Sequence, residues 1–119
     1  MSGFRTEKQL WKWMRPRMAG EWKRVEAIVP EGMFDLIGRA NNTLHFVELK
    51  VGFPSMKAVE SSQKSFAKFL EGLPVRAWYV WGGLGEKDVL FFDAWTRHCI
   101  YPAFWRGPKL PGSKGTLCP

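Results

Sequence analysis

At 119 residues the chain suits one domain, long enough to bury a core without disulfide or metal staples. Its 45% hydrophobic and 24% charged residues exclude a disordered chain, and no apolar run approaches the ~20 residues of a membrane span. A net charge of +7 leaves two classes open, an inert basic protein and one that meets a polyanion.

Residues 4–18 predict a helix. Phe4, Glu7, Trp11, Met14 and Met18 recur at helical spacing, so Glu7 interrupts an otherwise apolar stripe. Pro16 is awkward in a helix interior, and Gly20 is a stop signal. Arg5, Lys8 and Lys12 break up any apolar leader, so no signal peptide is expected. Residues 22–29 alternate as a strand does. Residues 34–39 and 44–51 predict two more strands, joined as a hairpin through Ala40-Asn41-Asn42-Thr43. After the loop Gly52–Ser55, with Ser55 as N-cap, residues 56–71 predict a second helix. Its stripe is Met56, Val59, Gln63, Phe66 and Leu70, and Gly72 and Pro74 end it. Residues 75–81 are almost wholly apolar, a strand buried on both faces. Gly82-Gly83-Leu84-Gly85 is a turn, lacking the GK[S/T] ending of a phosphate loop. Residues 88–92 predict a last strand, and residues 107–119 a loose basic tail beyond a single domain, 1–106. Helix, three strands, helix and two strands give an α/β sandwich around a mixed sheet.

Charge is segregated along this order. Residues 1–24 carry +5, residues 97–119 carry +4, and residues 25–96 carry −2. Basic ends around an acidic middle suit nucleic acid, whose phosphates reward Lys and Arg by releasing counterions. Cys99 and Cys118 lie far apart with no CxxC, so neither a disulfide framework nor a zinc site is expected; thiols in a reducing cytosol are the default.

Chemistry concentrates on the strand Leu44–Val51. Side chains alternate faces, so Glu48 and Lys50 share one face with Phe46, while Val47, Leu49 and Val51 share the other. Alone, Glu48 and Lys50 are equally readable as a surface ion pair of little worth. Asp35, in the apolar run Gly32-Met33-Phe34-Asp35-Leu36-Ile37, lies on the preceding strand and can approach Glu48 across the short turn. Two carboxylates about 4–5 Å apart repel by a few kcal/mol unless a cation or proton intervenes. Oxygen ligands of this kind suit Mg²⁺ or Mn²⁺. Glu7 and Gln63 are polar where apolar residues belong, which is costly without a partner. Each is open to a bland reading, a wet helix end for Glu7 and an amide satisfied by backbone for Gln63. His45 faces away from Glu48 and reads as structural or exposed. Trp78, Tyr79 and Trp81 read as core or as a dimer interface.

Taken in order, Glu7, Asp35, Glu48-Leu49-Lys50 and Gln63 resemble the PD-(D/E)XK nuclease superfamily, most closely its VRR-NUC and Holliday-junction-resolvase-like members. Gly32-Met33-Phe34-Asp35 matches their G-x-P-D with Phe34 in place of Pro, a position that shapes backbone rather than chemistry. Phe46–Lys50 matches the strand ending in E-x-K, and Ser62-Gln63 the Ser/Gln pair of the covering helix. The resemblance spans residues 5–81. It implies a restriction-endonuclease-like core, a central mixed β-sheet flanked by helices. It further implies an Mg²⁺-dependent endonuclease on branched DNA such as Holliday junctions, with Mn²⁺ able to substitute. Asp35, Glu48 and the Leu49 carbonyl would hold the ion, with Glu7 as a further carboxylate. Lys50 and Gln63 would complete the catalytic set, and Arg15, Arg17, Lys23 and Arg24 are candidates to contact DNA. A homodimer is natural for a junction-resolving chain of this size. The competing expectation is a non-catalytic DNA-binding or scaffolding protein with the same fold.

Overall fold

The computed structural model describes residues 3–25, 32–110 and 115–119. Its elements are α1 (Glu7–Met14), β1 (Glu21–Arg24), β2 (Leu36–Ala40), β3 (Thr43–Val51), α2 (Ser61–Leu70), β4 (Val75–Gly82) and β5 (Val89–Asp93). The strands form one sheet in the order β1-β2-β3-β4-β5. All neighbours are antiparallel except β3 and β4, which run parallel. A parallel pair needs a crossover, and α2 supplies it. The β2–β3 hairpin turns on Asn41 and Asn42, both left-handed at φ 53° and 61°, as a tight two-residue turn requires.

Both expected helices are shorter than their stripes. The Thr6 side chain caps α1 by accepting the Gln9 N–H at 3.1 Å, so Phe4 precedes the helix and is instead pinned by its N–H to the Gly83 carbonyl. At the other end Pro16 sits in a single 3-10 turn, Arg15–Arg17. The expected helix 56–71 splits in two. Ser55 caps only a 3-10 turn, Met56–Ala58, whereas α2 starts afresh behind Glu60, which forms a capping box with Gln63. Of the expected strand 22–29, residues 22–24 pair in β1 and residues 26–29 lie outside the described residues.

The sheet buries both faces. On one, Leu10, Trp11 and Met14 of α1 pack with Val47, Leu49, Trp78, Val80 and Phe91, closed by Phe104 and Trp105. On the other, Ala67 and Leu70 of α2 pack with Phe46, Ala77, Tyr79 and Phe34. Trp78, Tyr79 and Trp81 are therefore core. Each such side chain contributes roughly 1.5–3 kcal/mol by leaving water. Residues 107–119, expected to be loose, are tied down where they are described. Leu117 is buried, its N–H bonds the Arg97 carbonyl at 2.7 Å, and the Cys118 carbonyl accepts the Met56 N–H at 2.7 Å. One apolar side chain and a short bridge, His98 with Thr116, anchor a stretch whose Gly and Pro content hides them.

Candidate active site

The site forms where the β2–β3 ladder opens. Leu36 pairs with Val47, and one residue further out the chain forks: the Asp35 carbonyl accepts the Val25 N–H at 2.7 Å, beyond the end of β1. The Asp35 carboxylate turns the other way and accepts the Leu49 N–H at 2.8 Å, replacing the ladder bond that β2 no longer supplies. A residue's N–H and C=O leave a strand on the same side. The Leu49 carbonyl therefore faces the Asp35 side of β3 as well.

Glu48 lies beside this fork and is only 2% exposed. Its Oε2 accepts from Gln63 Nε2 at 2.6 Å and pairs with Lys50 Nζ at 3.5 Å. Its Oε1 is buried with no hydrogen-bond partner among the described residues. A buried carboxylate with an empty oxygen is costly, and it responds by holding a proton. Burial first, and then the charge of Asp35, push the Glu48 carboxyl up to about 8, against the opposite pull of Lys50. The closeness of the Asp35 carboxylate thus acts in the same direction as burial.

Gln63 is held at both ends. Its Oε1 accepts the Glu60 N–H at 3.1 Å in the capping box, which leaves Nε2 to donate to Glu48. The amide is thereby oriented by the helix start, and the Gln63 expected on an apolar stripe is a bridge from α2 to β3. Glu60 was not legible as part of the site, although a Glu three residues before a Gln is a possible capping pair. Gly32 helps to set this distance. Its φ of +90° is left-handed, and a Cβ there would lie 2.5 Å from the Ser62 carbonyl oxygen, so the approach to Asp35 packs against the first turn of α2.

Phe34 corrects an expectation. It does more than shape backbone: it is fully buried under α2, with ring centroids 5.4 Å from Phe66 and 5.5 Å from Tyr79. The floor beneath the carboxylates is aromatic. Glu7 stands at the exposed rim on the α1 side. Desolvation, then the charge of Asp35, raise its carboxyl, while Lys50 and Arg24 lower it. Those influences put Glu7 and Arg24 beside the cluster. Among the described residues no three His, Cys, Asp or Glu side chains form a ready metal cage. Arg17 is turned away onto Trp13, its Nη1 donating to the Trp13 carbonyl at 2.6 Å and its guanidinium 4.0 Å from the ring centroid. Arg15 and Lys23 are exposed, and among the described residues neither forms an ion pair with the cluster. His45 is structural: it is buried, and its Nδ1 accepts the Trp78 indole N–H at 3.1 Å.

This architecture has a counterpart among solved structures. The chain is similar to a Holliday junction resolvase of the archaeal hyperthermophile Archaeoglobus fulgidus, with a TM-score of 0.52 and 18% identity over 76% of this chain and 77% of that one. The fold is restriction-endonuclease-like. No protein-family model matches the chain, and no curated protein sequence matches it. At 18% identity the likeness describes the backbone, and the chemistry must be argued from the side chains.

The side chains suit a small hard cation. Mg²⁺ binds through one or two carboxylates and keeps several waters, so a third carboxylate is not needed. The donors at the fork are oxygens only, and the unpartnered Oε1 of Glu48 beside Asp35 is the feature that a cation would satisfy.

Proposed function

We propose that the protein is a metal-dependent endonuclease hydrolysing phosphodiester bonds in branched DNA, with residues 1–106 as its nuclease domain. The observation that carries the reading is the orphaned Glu48 Oε1, buried beside Asp35 with Lys50 at the same strand end. Support for a branched substrate comes from the fold shared with the resolvase. Asp35, Glu48 and the Leu49 carbonyl would hold Mg²⁺ or Mn²⁺, which when bound supplies Lewis-acid polarisation of a phosphoryl oxygen.

The chain's own residues do the remaining work. Gln63 holds Glu48 by Oε2, so Oε1 stays turned to the fork. Lys50 offers a fixed positive charge to the phosphate as negative charge builds in the transition state. Glu7, at the rim with its carboxyl raised, is placed to accept or hold a proton near the reacting phosphate. Exposed Arg24 and Lys23 on the edge strand β1, with Arg15, supply backbone phosphate contacts that position DNA without reading sequence.

A four-way junction presents equivalent strands to a two-fold protein, and one copy carries one centre, so the reading includes a homodimer. Phe69 and Leu73, on and just beyond α2, are 74% and 50% exposed and offer apolar surface for it. The test is a labelled four-way junction and a matched linear duplex, each incubated with Mg²⁺ or with EDTA. Paired cuts in the junction, lost with EDTA, are expected. Metal-independent cleavage, or binding with no cleavage in Mg²⁺ or Mn²⁺, overturns the assignment; the latter points to a DNA-binding protein on a nuclease-like fold.

A further inference from the structure

On the side of α1 away from the carboxylates lies a cavity of about 440 Å³ lined by Arg5, Lys12, Arg17 and Lys87, with Gln9 and Trp13. Among the described residues no carboxylate lines it. The ion pairs among the described residues are Lys50 with Glu48 and Arg76 with Asp93, so none of the four cations has an acidic partner there. Four like charges around one concavity repel weakly in water, and an anion among them turns that repulsion into attraction.

The walls are built, not draped. Phe4 and Gly3 are hydrogen-bonded to the carbonyls of Gly83 and Leu84, at 2.7 and 3.0 Å, which fixes the segment carrying Arg5 to the β4–β5 turn carrying Lys87. Gly3 sits so close to the Gly83 and Glu86 carbonyls that no Cβ fits. The Gln9 Oε1 accepts the Arg5 N–H at 2.8 Å, and Arg17 is clamped on Trp13. Helical spacing puts Gln9 and Lys12 on one flank of α1 and Glu7 on another. Lys12 lies five positions on from Glu7, ~7.5 Å of helical rise, and the helix width of ~10 Å between their flanks extends this to a few nucleotides at ~3.4 Å each.

We propose that this groove binds the phosphodiester backbone of nucleic acid a few nucleotides beyond the cleavage centre, taking an arm of the branched substrate; the proposal rests on the nuclease reading above. Arg15, Lys23 and Arg24 would hold the strand being cut, whereas Arg5, Lys12, Arg17 and Lys87 would hold an arm that leaves it.

The test reads binding without catalysis. Fluorescence anisotropy with a labelled four-way junction, in EDTA and across a salt series, is compared for the full chain and for Arg5→Ala/Lys12→Ala/Lys87→Ala. All three side chains are exposed, and circular dichroism verifies folding. Each lost phosphate contact removes about 0.9 from the slope of log K against log salt. The expected result is a slope shallower by about two to three and junction affinity at least tenfold weaker, while Lys64→Ala/Lys68→Ala/Lys57→Ala stays closer to wild type. An unchanged slope in the first variant overturns the groove and leaves the cleavage centre standing. Equal losses in both variants also overturn it, as they describe a diffuse charge effect. If the wild-type chain binds no DNA, the nuclease reading falls with the groove. If inorganic tripolyphosphate binds the groove and DNA does not, it is a small-anion site and the proposal is refuted.

Discussion

Glu48→Gln separates the account from a surface ion pair. The substitution keeps shape and an oxygen that can accept from Gln63, and it removes the charge that burial resists. In the absence of metal the folded Glu48 carboxyl, raised from 4.5 to about 8, holds its proton more tightly than the unfolded one. Stability from this group is therefore fully present below about pH 4.5 and is lost as pH rises through about 8. At about 1.4 kcal/mol per tenfold change in proton affinity, the upper bound on that loss is roughly 5 kcal/mol. A domain of this length shifts its Tm by roughly 3–6 °C per kcal/mol, so even half the bound is on the order of 10 °C. The assay is thermal and urea unfolding from pH 5 to 9 in EDTA. Wild type should lose stability steadily from pH 5 to about 8 and level off above it, and Glu48→Gln should be nearly flat and the more stable protein at pH 9. Saturating Mg²⁺ should recover the wild type at high pH, by about 3 kcal/mol at one hundred times its Kd, and leave the variant unmoved. Parallel curves for the two proteins would mean a solvated Glu48 that carries no such cost.

The other predictions concern what holds the carboxylates. Phe34→Ala empties a fully buried site between Phe66 and Tyr79 and should cost about 3–5 kcal/mol in urea unfolding; a cost below 1 kcal/mol would show that the aromatic floor is absent. Gln63→Ala removes both the capping box and the Glu48 partner, for a loss of about 1–3 kcal/mol, whereas Gln63→Glu sets a third carboxylate at the fork and should be worse above neutral pH. Asp35→Asn can still accept the Leu49 N–H, so the fold should survive while Mg²⁺-induced stabilisation disappears; retained stabilisation would move the ion elsewhere. Leu117→Ala should cost about 2–4 kcal/mol, and an unchanged midpoint would mean that the C-terminal segment does not dock.

Much of this was written in period and punctuation. Alternation over Leu44–Val51 gave the face shared by Glu48 and Lys50, and the Asn pair marked the hairpin that carries Asp35 back towards them. The apolar run at 75–81 read correctly as a strand covered on both faces. Failures came where one local interaction outvoted a pattern. Glu60 and Gln63 restart a helix in the middle of an apparently continuous stripe, because a capping box satisfies backbone N–H groups that the stripe says nothing about. Phe34 looked like a departure from a motif, but its environment is created by α2 folding back over the hairpin, a long-range contact no local window contains. Leu117 alone in a Gly- and Pro-rich stretch carried no periodic signal, yet one buried leucine and three backbone bonds hold its segment.

Whether the Asp35–Glu48–Lys50 strand end cuts DNA is read by single-turnover cleavage of a labelled four-way junction. With saturating protein and Mg²⁺, wild type should produce symmetric nicks. Glu48→Gln and Lys50→Ala should each lose at least a hundredfold in rate while binding the junction in EDTA, the size expected for removing a group that acts on the transition state. Variants that cut as fast as wild type would contradict the account, since the cleavage would then belong to some other part of the protein or to a contaminant.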